Sequence, residues 1–374
     1  MSYNKKIKTL KKIVIFMPFI GGGGVEKNLF IISNYLSNKF GKVFLVTSSK
    51  KYHYKFNKKV KLITPNKIIS ENLNIRLNYL LCLFVLFKFI LKNQNSLVLS
   101  FQANIYCIIL CKLFNIKIIT RSNSSPSGWY HHFIKKFIYK KIVSFANLVI
   151  VNSIEFKKEM KKKFNINTLC IYNPLNKNEI LIKSKKKIKV KFFDTKKDLK
   201  IINVGRLVEQ KDQIVLLKAI NYLKKYKINL KVLIIGRGSE KENLQNYIKN
   251  YHLGNRIKII KFQTNPYPYV KKSDLFILTS KYEGLPNVLL EAAVLKKFII
   301  SSNCPTGPKE ILVNGKGGFL FKVGDYKDLS YQILKFVKNR KKIESKINYT
   351  YENLKNFDFN KNLNKYYLAV KKFV

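Results

Sequence analysis

SDLFILTSKYEGLPNVLLEAAVLKKFIISSNCPTGPKE, residues 273–310, is the stretch whose reading decides the fold. Residues 275–278 are a short, wholly apolar run of the kind that forms a buried strand. Residues 280–285 form a loop, and Pro286 opens a helix where its missing N–H removes no hydrogen bond. Glu283 then sits in the loop at the carboxyl end of a strand, and Glu291 lies one and a half turns past Pro286. Helical rise over those five residues is ~8 Å, enough for two carboxylates to address separate parts of one elongated ligand. A second apolar strand, 298–302, runs into PTGPKE, where Gly307 and Pro308 fix the backbone and Glu310 can face the same crevice.

Strand and helix patterns alternate on both sides of this stretch. Toward the N-terminus they read 13–17, 26–37, 43–47, 60–63, a long apolar helix at 77–91, then 98–101, 103–114, 116–120, 130–145 and 148–152. That rhythm is the pattern of a parallel sheet covered on both faces. A lysine-dense stretch with little periodicity, 177–200, is expected to be a linker. A second alternation runs from Ile201 to Lys338, and the remainder of the chain is helical in composition. The expected organisation is α/β, with an N-terminal domain over 1–176 and a C-terminal domain over 201–356. Two doubly wound domains put their carboxyl strand edges face to face across one deep cleft.

A chain of 374 residues can bury two such cores. Its net charge of +53 comes from lysine spread along nearly every segment, and attracts anions in general: nucleic acid, anionic lipid or phosphorylated substrates. Five cysteines at irregular spacings argue against a disulfide framework and for a reducing cytoplasm. The first twenty residues imitate a signal peptide, with Lys5, Lys6, Lys8, Lys11 and Lys12 ahead of IVIFMPFI. The apolar run is short, contains Pro18 and meets four glycines, so it reads as a first strand. LNYLLCLFVLFKFIL at 77–91 carries Lys88 and falls short of the ~20 residues that span a bilayer. A buried helix and one resting in the membrane interface both remain open for it.

Only twenty Asp and Glu serve the whole chain, yet Glu283, Glu291 and Glu310 share one short stretch. Each alone is equally a helix-start carboxylate favoured by the macrodipole. As a set they are more specific. Glu, seven residues, Glu, with Gly284, Leu285, Pro286 and Asn287 after the first, resembles the E-x7-E signature of retaining glycosyltransferases of family 4. The run NPYPYVKKSDLFILTSKYEGLPNVLLEAA (265–293) and NCPTGPKEIL (303–312) are similar to members that build bacterial lipopolysaccharide, capsule or lipid-linked oligosaccharides. The resemblance implies the GT-B architecture, in which the last segment, here 357–374, returns to the first domain.

Gly205 and Arg206, then Gln210 and Lys211, follow the first strand of the second domain. A glycine at a strand end lets the backbone approach a ligand, and an Arg and a Lys across a turn bracket a diphosphate from two sides. In so basic a chain any loop can hold such a pair; its place at the sheet's ligand edge singles it out. GRLVEQK is similar to the family's GRL-x2-QK element, which implies that Arg206 and Lys211 neutralise the donor diphosphate. No Asp-x-Asp occurs, and His53, His131, His132 and His252 have no carboxylate cluster beside them in sequence, so neither a metal nor a cofactor is expected. Charge on a departing nucleoside diphosphate then falls to cations and helix N-termini.

Residues 235–238, Ile-Gly-Arg-Gly, read as a plain strand-to-helix connection, though the resemblance implies that Gly236 lines the base pocket. Lys261 stands where the family commonly has Gly, so no base contact is assigned in 262–266. The glycine loop at 21–24, followed by Val25 and Glu26, can cradle an anion on bare N–H groups. It is not G-x-G-x-x-G and lacks an acid at ribose distance, which speaks against a nicotinamide cofactor. It is similar to the family's GG-x-E loop, which implies that Gly23 and Gly24 lie beside the donor. In RSNSSPSGWYHH (121–132), Arg121, Asn123 and Trp129 suit an acceptor bearing phosphate and a sugar face, and a structural loop is the equal alternative. Ser122 and Asn123 stand where relatives carry a His, and that role does not pass to His131 or His132.

The resemblance implies an enzyme moving a hexose or N-acetylhexosamine, with retention, from a nucleoside-diphosphate sugar, UDP being expected, to a lipid-linked saccharide. Glu283 would hold the donor sugar and Glu291 the ribose, at the cytoplasmic face of an anionic membrane. A nucleic-acid-binding protein and a GT-B epimerase are the rival readings. No recognition module supports the first, and the aromatics follow core periodicity.

Overall fold

This computed structural model describes residues 12–21, 23–48, 50–65, 75–124, 133–194, 197–339 and 343–374. Lys5, Lys6, Lys8, Lys11, Gly22, Trp129, His131 and His132 lie outside them. In the first domain β1 (Lys12–Phe16), β2 (Val43–Val46), β3 (Val60–Ile63), β4 (Ser96–Ser100), β5 (Lys117–Arg121), β6 (Leu148–Val151) and β7 (Leu169–Cys170) lie in the order β3-β2-β1-β4-β5-β6-β7. In the second, β8 (Leu199–Val204), β9 (Leu230–Ile235), β10 (Ile257–Ile260), β11 (Leu275–Leu278), β12 (Phe298–Ser302) and β13 (Phe319–Phe321) lie in the order β10-β9-β8-β11-β12-β13. All these pairings are parallel. The chain is thus two Rossmann-like α/β domains in the GT-B arrangement.

The first domain carries α1 (Gly24–Phe40), α2 (Ile75–Lys92), α3 (Asn104–Leu113), α4 (Phe133–Val143) and α5 (Ile154–Phe164). After α6 (Lys177–Ser184) the second carries α7 (Gln213–Tyr222), α8 (Lys241–Asn250), α9 (Tyr267–Lys271), α10 (Asn287–Val294), α11 (Pro308–Ile311), α12 (Tyr326–Lys338) and α13 (Ile343–Asn353). The chain closes with α14 (Phe359–Lys371). Strand residues alternate between faces, so Val14 and Phe16 enter a core shared with α2 to α5, while Ile13 and Ile15 meet α1 and α14. Leu29, Ile32 and Leu36 recur at helical spacing along α1 and give it one buried face. In the second domain Ile201 faces α7, α8 and α12, and Ile202 faces α9, α10 and α11.

The lysine-dense 177–200 stretch is more than a connector. It forms α6 and a 3-10 turn, and Ile180, Val190 and Phe193 are buried in the second domain's core. Their irregular spacing fills a groove without leaving a period to read. From α14, Leu363, Tyr366 and Val370 enter the first domain's core. The two crossings between domains run side by side: the Leu175 N–H donates to Phe357 O at 3.0 Å, and Leu175 bridges Asp358 in parallel.

Each sheet reverses its order beside its first strand, between β1 and β4 and between β8 and β11. Open α/β sheets bind ligands outside the carboxyl ends of strands at such points. Topology therefore brings the loops after β1, β8 and β11 toward one cleft.

Candidate active site

Because β8 and β11 are neighbours, the loops leaving their carboxyl ends lie together and are stitched by hydrogen bonds. Gln210 Nε2 donates to Tyr282 O (2.8 Å), Lys281 N–H to Gln210 O (2.8 Å) and Thr279 Oγ1 to Lys211 O (2.7 Å). Lys211 Nζ is thereby held 2.5 Å from Glu283 Oε1, and Ser280 Oγ donates to the same oxygen at 2.6 Å. Glu283 is only 6% exposed, so solvent screens this attraction weakly. Arg206 stays exposed, its NH2 3.3 Å from Gln210 Oε1, while Gln213 Nε2 donates to Arg206 O at 2.9 Å. Gly205 leaves the backbone beside the Lys211 stem open, since a Cβ there would come no nearer than 3.9 Å.

The loop after β12 backs this arrangement. Thr306 Oγ1 donates to Glu283 O and Ser302 Oγ to Ser280 O, both at 2.6 Å. Gly307, at φ +92°, is obligatory: a Cβ there would lie 2.5 Å from Gly284 O. Burial, reinforced by the Glu283 carboxylate, pushes the Cys304 thiol up to about 12.

Glu291, 9% exposed, finds one partner across the cleft and one in its own domain. Lys27 Nζ, on the first turn of α1, lies 2.8 Å from Glu291 Oε1, to which Tyr267 OH donates at 3.1 Å; Lys27 also donates to Tyr267 OH at 2.7 Å. Burial works against the Lys27 ammonium, but Glu291 and Tyr267 outweigh it and hold its pKa above the ordinary lysine value. Burial first, then Glu291, raises that of Tyr267. Asn287 Nδ2 donates to Gly24 O (3.1 Å), Asn173 Nδ2 to Asn287 Oδ1 (2.6 Å) and Arg237 NH2 to Gly21 O (2.6 Å). Glu26 Oε1 accepts from the Gly21 N–H at 3.1 Å and folds the glycine loop onto its own helix. Gly284 bridges Ser124, and a Cβ on it would fall 2.2 Å from Asn123 O. The glycine loop with Gly24, the Asn123 backbone, Gly284, Asn287 and Glu291 thus line one interdomain seam.

Other candidates have different partners. Arg121 is no loop residue: β5 runs through it, and its side chain points into the sheet's far core, fully buried. Its Nε donates to Tyr366 OH (2.8 Å) and its NH2 to Asn173 Oδ1 (2.6 Å), so it ties β5 to α14 and cannot meet an acceptor. Glu310 does not face an open crevice. Its oxygens accept from the Ile154 N–H (3.1 and 3.0 Å), the Glu155 N–H (3.4 Å) and Tyr172 OH, at the N-terminus of α5 where a carboxylate is favoured. At Gly236 a Cβ would sit 2.0 Å from Gly205 O, so packing of β8 against β9 already demands glycine. Leu285 is buried in the second domain's core, and Pro286 is the N-cap of α10.

Lys27, Tyr267, Arg237 and Asn173 escaped sequence reasoning. Lys27 had a signal, one position past the GG-x-E loop on a helix start; Arg237 stood between two glycines that drew the attention. Tyr267 and Asn173 carried no cue. Among the described residues no group of three or more His, Cys, Asp or Glu is placed to hold a metal ion.

Residues 184–353 match the family model for glycosyl transferases group 1. The chain is 30% identical over 280 residues to an uncharacterized glycosyltransferase of Methanocaldococcus jannaschii, an alignment covering 69% of this chain and 65% of that protein. It is 26% identical over 340 residues, 87% of this chain and 90% of the relative, to the N-acetylgalactosamine-N,N'-diacetylbacillosaminyl-diphospho-undecaprenol 4-alpha-N-acetylgalactosaminyltransferase of Campylobacter jejuni. Among solved structures, Anabaena HepE in complex with UDP and glucose superposes with a TM-score of 0.77 at 17% identity, covering 97% of this chain and 100% of that one.

Proposed function

We propose, from a GT-B fold whose residues 184–353 match the group 1 glycosyl transferase model, that this chain transfers a hexose or N-acetylhexosamine from a UDP-sugar to a hydroxyl of a lipid-linked saccharide. The observation that carries the reading is the Lys211–Glu283 contact at the β8/β11 switch point, an acid and a base poised for a sugar and its diphosphate. The named acceptor of the Campylobacter relative supports a lipid-linked saccharide here, and the UDP and glucose in HepE support a UDP-sugar donor.

In this reading Glu283 accepts hydrogen bonds from hydroxyls of the donor sugar, Glu291 from the ribose, and Arg206 with Lys211 stabilise the diphosphate. The bond from the anomeric carbon to the diphosphate oxygen breaks with its electron pair leaving on the oxygen. The acceptor oxygen bonds to the anomeric carbon and passes its proton to the departing diphosphate oxygen. Glu283 is not a proton donor to the leaving group, which is already a stable anion. Retention and membership of family 4 rest on the E-x7-E resemblance. Cations and backbone N–H groups serve the departing charge without a metal. Domain closure excludes water and favours transfer over hydrolysis. The work is placed at the cytoplasmic membrane face, where a lipid-linked acceptor is presented.

Incubation with labelled UDP-sugars and membrane lipid extract should label lipid from one donor. No labelled lipid from any UDP-hexose or UDP-N-acetylhexosamine would overturn the reading.

A further inference from the structure

Twelve of the twenty-four large apolar side chains exposed among the described residues fall between positions 77 and 145. Single exposed apolar residues are ordinary, whereas a cluster marks an interaction surface. Here they lie on the outer faces of α2, α3 and α4, three adjacent helices whose inner faces already fill the first domain's core. Leu80 and Phe84 stand one turn apart on α2, Ile109 and Leu113 on α3, Ile134 and Phe137 on α4; Leu113 and Ile134 are 73% and 71% exposed. The three stripes form one surface: Phe87 of α2 packs its ring 5.2 Å from that of Phe114, and Lys112 Nζ of α3 lies 5.4 Å over Phe145 just past α4. Between Glu71 and Glu155 the chain has no Asp or Glu at all.

We propose that the outer face of α2, α3 and α4 docks this protein onto an anionic phospholipid bilayer. The apolar side chains enter the interface, and Lys88, Lys112 and Lys141, all exposed, meet lipid phosphates. Charge chooses this occupant over a second copy of the chain. A two-fold interface sets one patch against itself, and here that would bring lysines together with no carboxylate to meet them. Among the described residues no helix is long and apolar enough to cross a membrane, so the contact is one of lying on the bilayer. Helices of a doubly wound sheet start at the carboxyl edges of the strands, which places Ile134, second residue of α4, toward the cleft. The docked face therefore reaches the rim of the site, within range of a membrane-anchored substrate.

Such docking serves the lipid-linked acceptor read above, but vesicle binding needs neither donor nor acceptor, so its failure and a failed transfer assay are told apart. The full chain should co-sediment with vesicles of phosphatidylglycerol and phosphatidylcholine in equal parts, and about a hundredfold less with phosphatidylcholine alone. Phe84→Glu with Phe137→Glu should weaken binding about tenfold per side chain, with an unchanged circular dichroism melt. Lys112→Ser with Lys141→Ser, which disturbs no core residue, should weaken it about fivefold per lysine at low salt. Unaltered binding in both variants overturns the assignment. So does equal binding to the two vesicle types, or a wild-type dimer that these variants dissolve while no vesicle binding is seen.

Discussion

Glu283 and Glu291 are eight positions apart and both buried, but one finds its cation inside its own domain and the other across the cleft. Lys211 meets Glu283 because two adjacent strands carry them, and that pair persists however the domains sit. Lys27 meets Glu291 only when the first domain closes on the second. The difference separates a preorganised site, which acts without reorganisation, from a contact that is made and broken with closure. A ribose reaching Glu291 meets a carboxylate that Lys27 holds in place only in the closed form, so closure and donor binding share one carboxylate.

The largest expected effect strikes the intradomain pair. Glu283→Gln and Lys211→Ala should each cut turnover about 10²–10³-fold while circular dichroism stays native; normal turnover in both would end the distinction drawn above. Arg121 tests whether a buried cation within one domain always signals ligand chemistry. Arg121→Met should lower stability by about 2–3 kcal/mol, seen in denaturant melts, with little change in acceptor KM for the folded fraction. Lys27→Met probes the cross-cleft contact: donor KM should rise about tenfold, equivalent to ~1.4 kcal/mol, with kcat nearly unchanged and a larger radius of gyration by X-ray scattering. Lys27→Arg should restore both. The smallest effect expected is from EDTA, which should leave turnover within about twofold if Arg206 and Lys211 alone meet the diphosphate.

The same division separates the features that chain order reveals from those that it hides. The strands at 275–278 and 298–302 were legible to the residue because apolar runs bounded by turn formers have one reading. That Lys211 and Glu283 share one edge was legible because both follow strands of one domain, whose carboxyl ends form the ligand edge of an open sheet; the adjacency of β8 and β11 then brings them into contact. Lys27 was not, since nothing local tells a helix-start lysine which carboxylate of another domain it will meet. Arg121 misled because a one-residue extension of β5 turns a loop side chain into a core one, the two-residue period of a strand being unforgiving. The apolar helix at 77–91 left a buried and an interfacial reading open. Cys82, Leu86 and Ile90 are buried while Leu80 and Phe84 are exposed, so its inner face fits the first and its outer face makes the surface the second needs.

The return of α14 to the first domain sets an order of events at the ribosome. Arg121 and the Tyr366 that receives it are 245 residues apart. At synthesis rates of ~5–20 residues per second, the guanidinium is made roughly 10–50 s before its phenolic partner. The domain translated first is thus completed only after the second has been made, and until α14 emerges the core it shares with α1 stays partly uncovered on the nascent chain.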